Sequence, residues 1–163
     1  MIEAWNDQGA LNSTPDRWTP MPYEPDLVVR TADDAPVAIV ELKGASEVSQ
    51  ERAIALFARY RASAGHQAAP YFLLITESKG FLWSIHALHA DLRPNAEFGM
   101  KEVLWQYIYP DQDLRGLNYI VFHWLLDTVT GTRKHDAEAD KKLRESGFTE
   151  AARNAKVTFG MAA

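Results

Sequence analysis

Two stretches decide how this chain is read: Pro25-Asp26-Leu27-Val28-Val29-Arg30 and, beyond the turn-like Asp33-Asp34-Ala35-Pro36, Val37-Ala38-Ile39-Val40-Glu41-Leu42-Lys43. Both runs are apolar and rich in β-branched residues, and together they predict a β-hairpin. Side chains alternate across a strand, which puts Val37, Ile39, Glu41 and Lys43 on one face and Ala38, Val40 and Leu42 on the other. Both faces stay apolar until the strand's end. That pattern suits a central strand covered on both sides, and it leaves a carboxylate and an ammonium projecting together just before Gly44.

Outward from the hairpin, Ser46 and Ser49 are candidate N-caps for a helix of roughly 15 residues. Ile54, Phe57, Ala58 and the stem of Arg61 recur along it near helical spacing, and Gly65 is its stop. Tyr71–Thr76 is an apolar run of strand length, and Phe81–Ile85 follows across Glu77-Ser78-Lys79-Gly80, giving a crossover helix, a strand and a hairpin partner. Ala96–Tyr109 reads as helical, with Phe98, Val103 or Leu104, and Tyr107 on one face. Residues 118–130 are apolar around almost the whole helix, which predicts burial and makes this helix the candidate for a homodimer contact. Residues 133–156 carry seven basic and five acidic side chains and read as a mixed-charge helix. On the N-terminal side, Pro15, Pro20, Pro22 and Pro25 mark residues 1–25 as an irregular arm.

The expected architecture is one α/β domain over residues 1–163, with a mixed central sheet flanked by helices. Its core motif region is 26–86, and a mainly helical region, 95–163, completes the core or builds an oligomer. The length, 163 residues, suits one domain with a sizeable core. A net charge of −5 gives no global attraction to polyanions, so any nucleic-acid site has to be local. The absence of cysteine excludes a disulfide scaffold, thiolate zinc sites, iron–sulfur clusters and cysteine nucleophiles. Neither a leader-like start nor a bilayer-length apolar run is apparent, so a cytoplasmic location with no membrane partner is expected.

The hairpin brings Asp26, Glu41 and Lys43 together. Carboxylates on adjacent strands are the hard oxygen ligands that Mg²⁺ or Mn²⁺ prefers, and the Leu42 carbonyl offers a third oxygen. Lys43, on the face of Glu41, would orient or deprotonate an attacking water and stabilise charge building on a phosphate. Pro25-Asp26 followed by Glu41-Leu42-Lys43 resembles the PD-(D/E)xK nuclease superfamily, the fold of restriction endonucleases. The resemblance spans the stretch from Asp26 to His86, 61 of the 163 residues, and within the superfamily the nearest likeness is to type I restriction subunits and short bacterial or phage proteins. It implies a restriction-endonuclease-like fold and a divalent-metal nuclease, acting on DNA rather than RNA, in which Asp26 and Glu41 hold the metal and Lys43 assists the attacking water. A motor or specificity subunit is an implied partner.

Members of that superfamily often carry a glutamate before the first strand, and Glu3 and Glu24 are the candidates here. Some carry Gln-x-x-x-Tyr on the crossover helix. Tyr60 has Leu56 at the glutamine position, and Gln50 is a loose substitute. Arg52, Arg59 and Lys79 are candidate phosphate-backbone contacts, against the plainer reading of solvated surface charge. His86 and His89 have zinc-like spacing without an evident third ligand. Trp83, Trp105 and Trp124 read as core, whereas Trp5 and Trp18 would pin the arm to the domain or to a partner. The alternative function is a nuclease-like fold kept as a non-catalytic module that docks a protein or nucleic acid.

Overall fold

The computed structural model describes residues 24–44, 47–64, 68–107 and 116–160. Within them, β1 (Leu27–Arg30) and β2 (Pro36–Lys43) form the expected antiparallel hairpin, in the register Leu27↔Val40, Val28↔Ile39 and Val29↔Ala38. Helix α1 (Gln50–Ala64) then carries the chain back, so that β3 (Tyr71–Thr76) lies parallel to β2. Ser49 caps α1, its hydroxyl accepting the Arg52 backbone N–H at 3.1 Å. Strand β4 (Lys79–Ser84) returns antiparallel to β3, and a single 3₁₀ turn, Ile85–Ala87, ends it.

The second half differs from the expectation in two places. Ala96–Tyr109 is not one helix: Ala96–Gly99 is strand β5, antiparallel to β4, and Lys101–Tyr107 is helical, as α2, with residues 108 and 109 outside the described residues. The cause is non-local. Phe98 lies across Gly80 of β4, filling the space where a side chain at position 80 would stand: a Cβ there would come within 2.1 Å of the Phe98 ring. The stretch 133–156 is likewise not one helix. It contains α4 (Glu138–Glu145) and α5 (Phe148–Ala151) and gives way to strand β6 (Lys156–Phe159), antiparallel to β1. Residues 95–163 therefore supply both edge strands of the sheet besides its helical cover. The sheet is mixed and six-stranded, in the order β5-β4-β3-β2-β1-β6.

Strand β2 is central, and each face has its own core. Helix α1 covers one side, where Phe57 stacks on Trp83 (4.7 Å between ring centres) and Tyr60 on Phe72 (4.6 Å), with Ile39 packed against them. The other side, carrying Leu27, Val40, Leu73 and Leu82, packs under α3 (Leu117–Thr130) through Ile120, Val121, Trp124 and Leu125. The apolar character of α3 is thus used within its own domain, while Tyr119 stays 60% exposed. Trp83 and Trp124 are fully buried, as expected of core residues, but Trp105 is 70% exposed on α2. Among the described residues no helix is long and apolar enough to cross a membrane.

A polar network ties α2, α3 and α4 together. Arg133 grips Asp140 with two hydrogen bonds (2.8 and 2.6 Å) and donates to the Tyr107 hydroxyl, which in turn donates to Asp127 at 2.5 Å. Burial, together with that bond to a carboxylate, pushes the Tyr107 hydroxyl up to about 12, against the pull of Arg133. The folded state therefore holds a proton that the unfolded chain loses near pH 10. The stabilisation is intact below pH 10 and drains away between about pH 10 and 12. Thermal melts at pH 9 and pH 11.5 are expected to show a smaller alkaline loss of melting temperature in Tyr107→Phe than in the wild type; equal losses would mean that Tyr107 does not titrate as argued.

Candidate functional site

The site is built at the end of the hairpin where β1 begins and β2 finishes. Glu41 and Lys43 project from the α1 face of β2, with Lys43 Nζ 3.4 Å from Glu41 Oε2 and both side chains partly exposed. Across from them, Asp26 is held through its backbone and its side chain. Its N–H donates to the Val40 carbonyl at 3.1 Å, and its Oδ2 accepts the Leu42 N–H at 2.7 Å. The carboxylate thus takes a ladder donor that a neighbouring backbone carbonyl would otherwise satisfy.

Asp26 directs its N–H to Val40 of β2 and its carbonyl to Gly160 beyond β6, so the strand is irregular at the Pro25–Asp26 step. That irregularity sets the Asp26 carboxylate against the Leu42 peptide.

Along the α1 face, the register aligns Glu41 with Leu74, Leu74 with Phe81 and Phe81 with Glu97. Glu97 thus stands at the far end of one row, three strands from Glu41, or about 14 Å at the usual strand spacing. This separates some expected members of the site. Gln50 hydrogen-bonds to Glu97 Oε2, and Lys79 lies 3.5 Å from Glu97 Oε1. Gln50 is therefore committed to the distal edge rather than to Asp26 and Glu41, because α1 starts over β4 and β5. Lys79 is a partner of Glu97 in an exposed pair, a setting worth little in stability.

Arg59 lines a cleft of about 480 Å³ between α1 and β2, together with Glu41, Lys43, Leu56, Tyr60 and Ser63. Leu56 and Tyr60, the pair set against the Gln-x-x-x-Tyr pattern, thus both border this cleft. Tyr60 is almost fully buried and its hydroxyl accepts the Ala69 N–H at 2.9 Å, which makes it a structural anchor between α1 and the entry to β3. Arg52 is exposed on the first turn of α1, and Arg61 lies near the Phe57 ring, 6.0 Å from its centre. Glu24 is exposed and outside the sheet, two residues before Asp26. Glu3, Trp5 and Trp18 lie outside the described residues.

The donor set suits a hard divalent cation of the Mg²⁺ type. Among the described residues no group of three or more His, Cys, Asp or Glu side chains converges, His86 and His89 included. What the hairpin end holds is two carboxylates, Asp26 and Glu41, beside the Leu42 peptide. Mg²⁺ is usually held in this way, by one or two carboxylates, with waters and substrate phosphate completing its shell. Sequence reasoning did not identify the contribution of β6. Its last neighbour, Gly160, donates its N–H to the Asp26 carbonyl at 2.9 Å. The signal was the alternation in Lys156-Val157-Thr158-Phe159, hidden at the end of a charged run.

No protein-family model, curated protein or solved structure matches this chain. Its fold defines its class: an α/β protein with a mixed six-stranded sheet flanked by helices.

Proposed function

We propose that the protein is a divalent-metal-dependent nuclease of restriction-endonuclease-like fold, hydrolysing phosphodiester bonds, with DNA as the preferred substrate. The observation that carries this reading is the hairpin end. There Asp26 is fixed beside Leu42 by a 2.7 Å hydrogen bond, and Glu41 and Lys43 stand 3.4 Å apart on the neighbouring strand. Asp26, Glu41 and the Leu42 carbonyl would hold Mg²⁺ or Mn²⁺. When bound, the cation would supply positive charge to the phosphate and acidify water. Lys43 would act on the attacking water and on charge building at the phosphate. Arg59, on the wall of the adjoining cleft, would hold a flanking phosphate of the strand.

The test uses supercoiled plasmid, single-stranded DNA and RNA with Mg²⁺, Mn²⁺ or EDTA, alongside thermal melts in the same buffers. Cleavage only with metal is expected, together with a metal-induced rise in melting temperature that Asp26→Ala removes. If neither metal shifts the melt and no substrate is cut, the nuclease reading fails in favour of a docking module.

A further inference from the structure

The C-terminal strand ends against the Pro25–Asp26 step, and the contact is unusually close. Gly160 donates its N–H to the Asp26 carbonyl at 2.9 Å. A Cβ at position 160 would stand 1.9 Å from the Pro25 carbonyl oxygen and 2.7 Å from its carbon. Those atoms are backbone, so they cannot swing aside as the tip of a side chain would. Gly160 does not adopt a left-handed conformation. Its lack of a side chain therefore serves space rather than dihedral freedom.

On the opposite side, the Asp26 N–H is bound to Val40 and its carboxylate to the Leu42 N–H. The Pro-Asp step is thus gripped between β2 and the end of β6. Strand β6 is anchored in turn, since Phe159 stacks on Phe122 of α3 with ring centres 4.9 Å apart.

We propose that Gly160 is a positioning residue for the Asp26 carboxylate, the end of β6 acting as a backstop that keeps Asp26 against Leu42. The proposal rests on the reading of Asp26 as a metal ligand and extends it to a residue more than a hundred positions away in the chain. Any side chain at position 160 has to displace Pro25, and the carboxylate moves with it.

The first readout needs no metal: the hydrogen-exchange rate of the Leu42 amide, followed in the full-length protein by NMR. Gly160→Ala is expected to speed this exchange about tenfold, as Asp26→Ala does by removing the acceptor. Amides of the β2–β3 ladder report whether the fold is intact. Thr158→Ala, an exposed position on the same strand, should leave Leu42 unchanged. The second readout is the Mn²⁺ concentration giving half the thermal shift, expected to rise about tenfold in Gly160→Ala, the usual scale for groups that orient metal ligands.

If Gly160→Ala does not fold, Phe159→Ala carries the test. It loosens β6 from α3 without adding an atom at position 160, and the same direction is expected. Leu42 exchange at the wild-type rate in the folded variant, with Asp26→Ala accelerated, overturns the proposal. Accelerated exchange in a protein whose wild type shows no metal shift upholds the positioning of Asp26 and overturns its role as a ligand.

Discussion

Lys43→Ala is expected to lower metal-dependent cleavage by about two to four orders of magnitude, the range that general acid–base groups contribute, while leaving the fold almost untouched. The two effects separate because of where the residue sits. Lys43 is the last residue of β2, its side chain is 35% exposed, and its contact with Glu41 spans 3.4 Å. A pair so placed contributes about 0–1 kcal/mol to stability. On the proposed nuclease reading its value to the reaction would be larger, because the ammonium stands beside Glu41, where charge on a phosphate would develop.

Lys43→Arg refines the assignment. Arginine keeps the charge but does not give up a proton near neutral pH. If Lys43 only stabilises charge, the arginine variant should retain a measurable part of the activity; if it also relays a proton, it should be as poor as alanine. Single-turnover cleavage with Mn²⁺, beside urea unfolding of the same samples, reads both effects. Cutting by Lys43→Ala at the wild-type rate would remove Lys43 from the mechanism.

The hairpin was legible because the physics that sets it is local. Alternation along residues 37–43 fixes which side chains share a face, and a short turn brings Asp26 beside the end of β2 without reference to the rest of the chain. Helix α1 was legible for the same reason, with Ser49 as its cap and Phe57 buried, but its buried stripe runs through Ala53 and Tyr60, while Ala58 and Arg61, expected on it, are exposed. Strand β5 was not. Ala96-Glu97-Phe98-Gly99 has little strand preference of its own, and it pairs with β4 because Phe98 covers Gly80, a match made across 18 positions of chain.

Gln50 shows the same limit inside the candidate site. Its position near the start of α1 is correct, but which end of the sheet that start overlies depends on how the helix crosses β3 and β4. Glu97, on the unrecognised strand, became its partner. The backstop at Gly160 required knowing that the chain returns beside β1, which no spacing in residues 133–156 encodes.

Asp140→Ala is expected to cost about 3–5 kcal/mol, the range for breaking a buried ion pair by removing one partner. Asp140 is 5% exposed and accepts four hydrogen bonds. Two come from Arg133, one from Trp124 Nε1 at 3.1 Å, and one from the Ala137 N–H at 2.8 Å, where the carboxylate reaches back to close the start of α4. Burial raises the Asp140 carboxyl, but the hydrogen bonds from Arg133, Ala137 and Trp124 outweigh it and hold the group below the usual carboxylate range. The stabilisation is therefore complete above the ordinary aspartate pKa and is lost as pH falls through the lower folded-state value.

Alanine would leave the Arg133 guanidinium, itself mostly buried, and the Trp124 N–H without their acceptor. Asp140→Asn keeps the shape but sets an NH₂ group against donors, so it should recover only a minor part of the loss. Removing both charges is a different experiment. Arg133→Met with Asp140→Leu takes away the unpaired charge as well as its partner, and it should be markedly more stable than Asp140→Ala alone. Urea unfolding at pH 7 and pH 4 measures all of these. The wild-type advantage over Asp140→Ala is expected to persist at both values and to shrink only under stronger acid. A loss below about 1 kcal/mol in Asp140→Ala would place the network among ordinary surface pairs and leave the attachment of α4 to α3 to the apolar contacts of Trp124, Leu143 and Phe148.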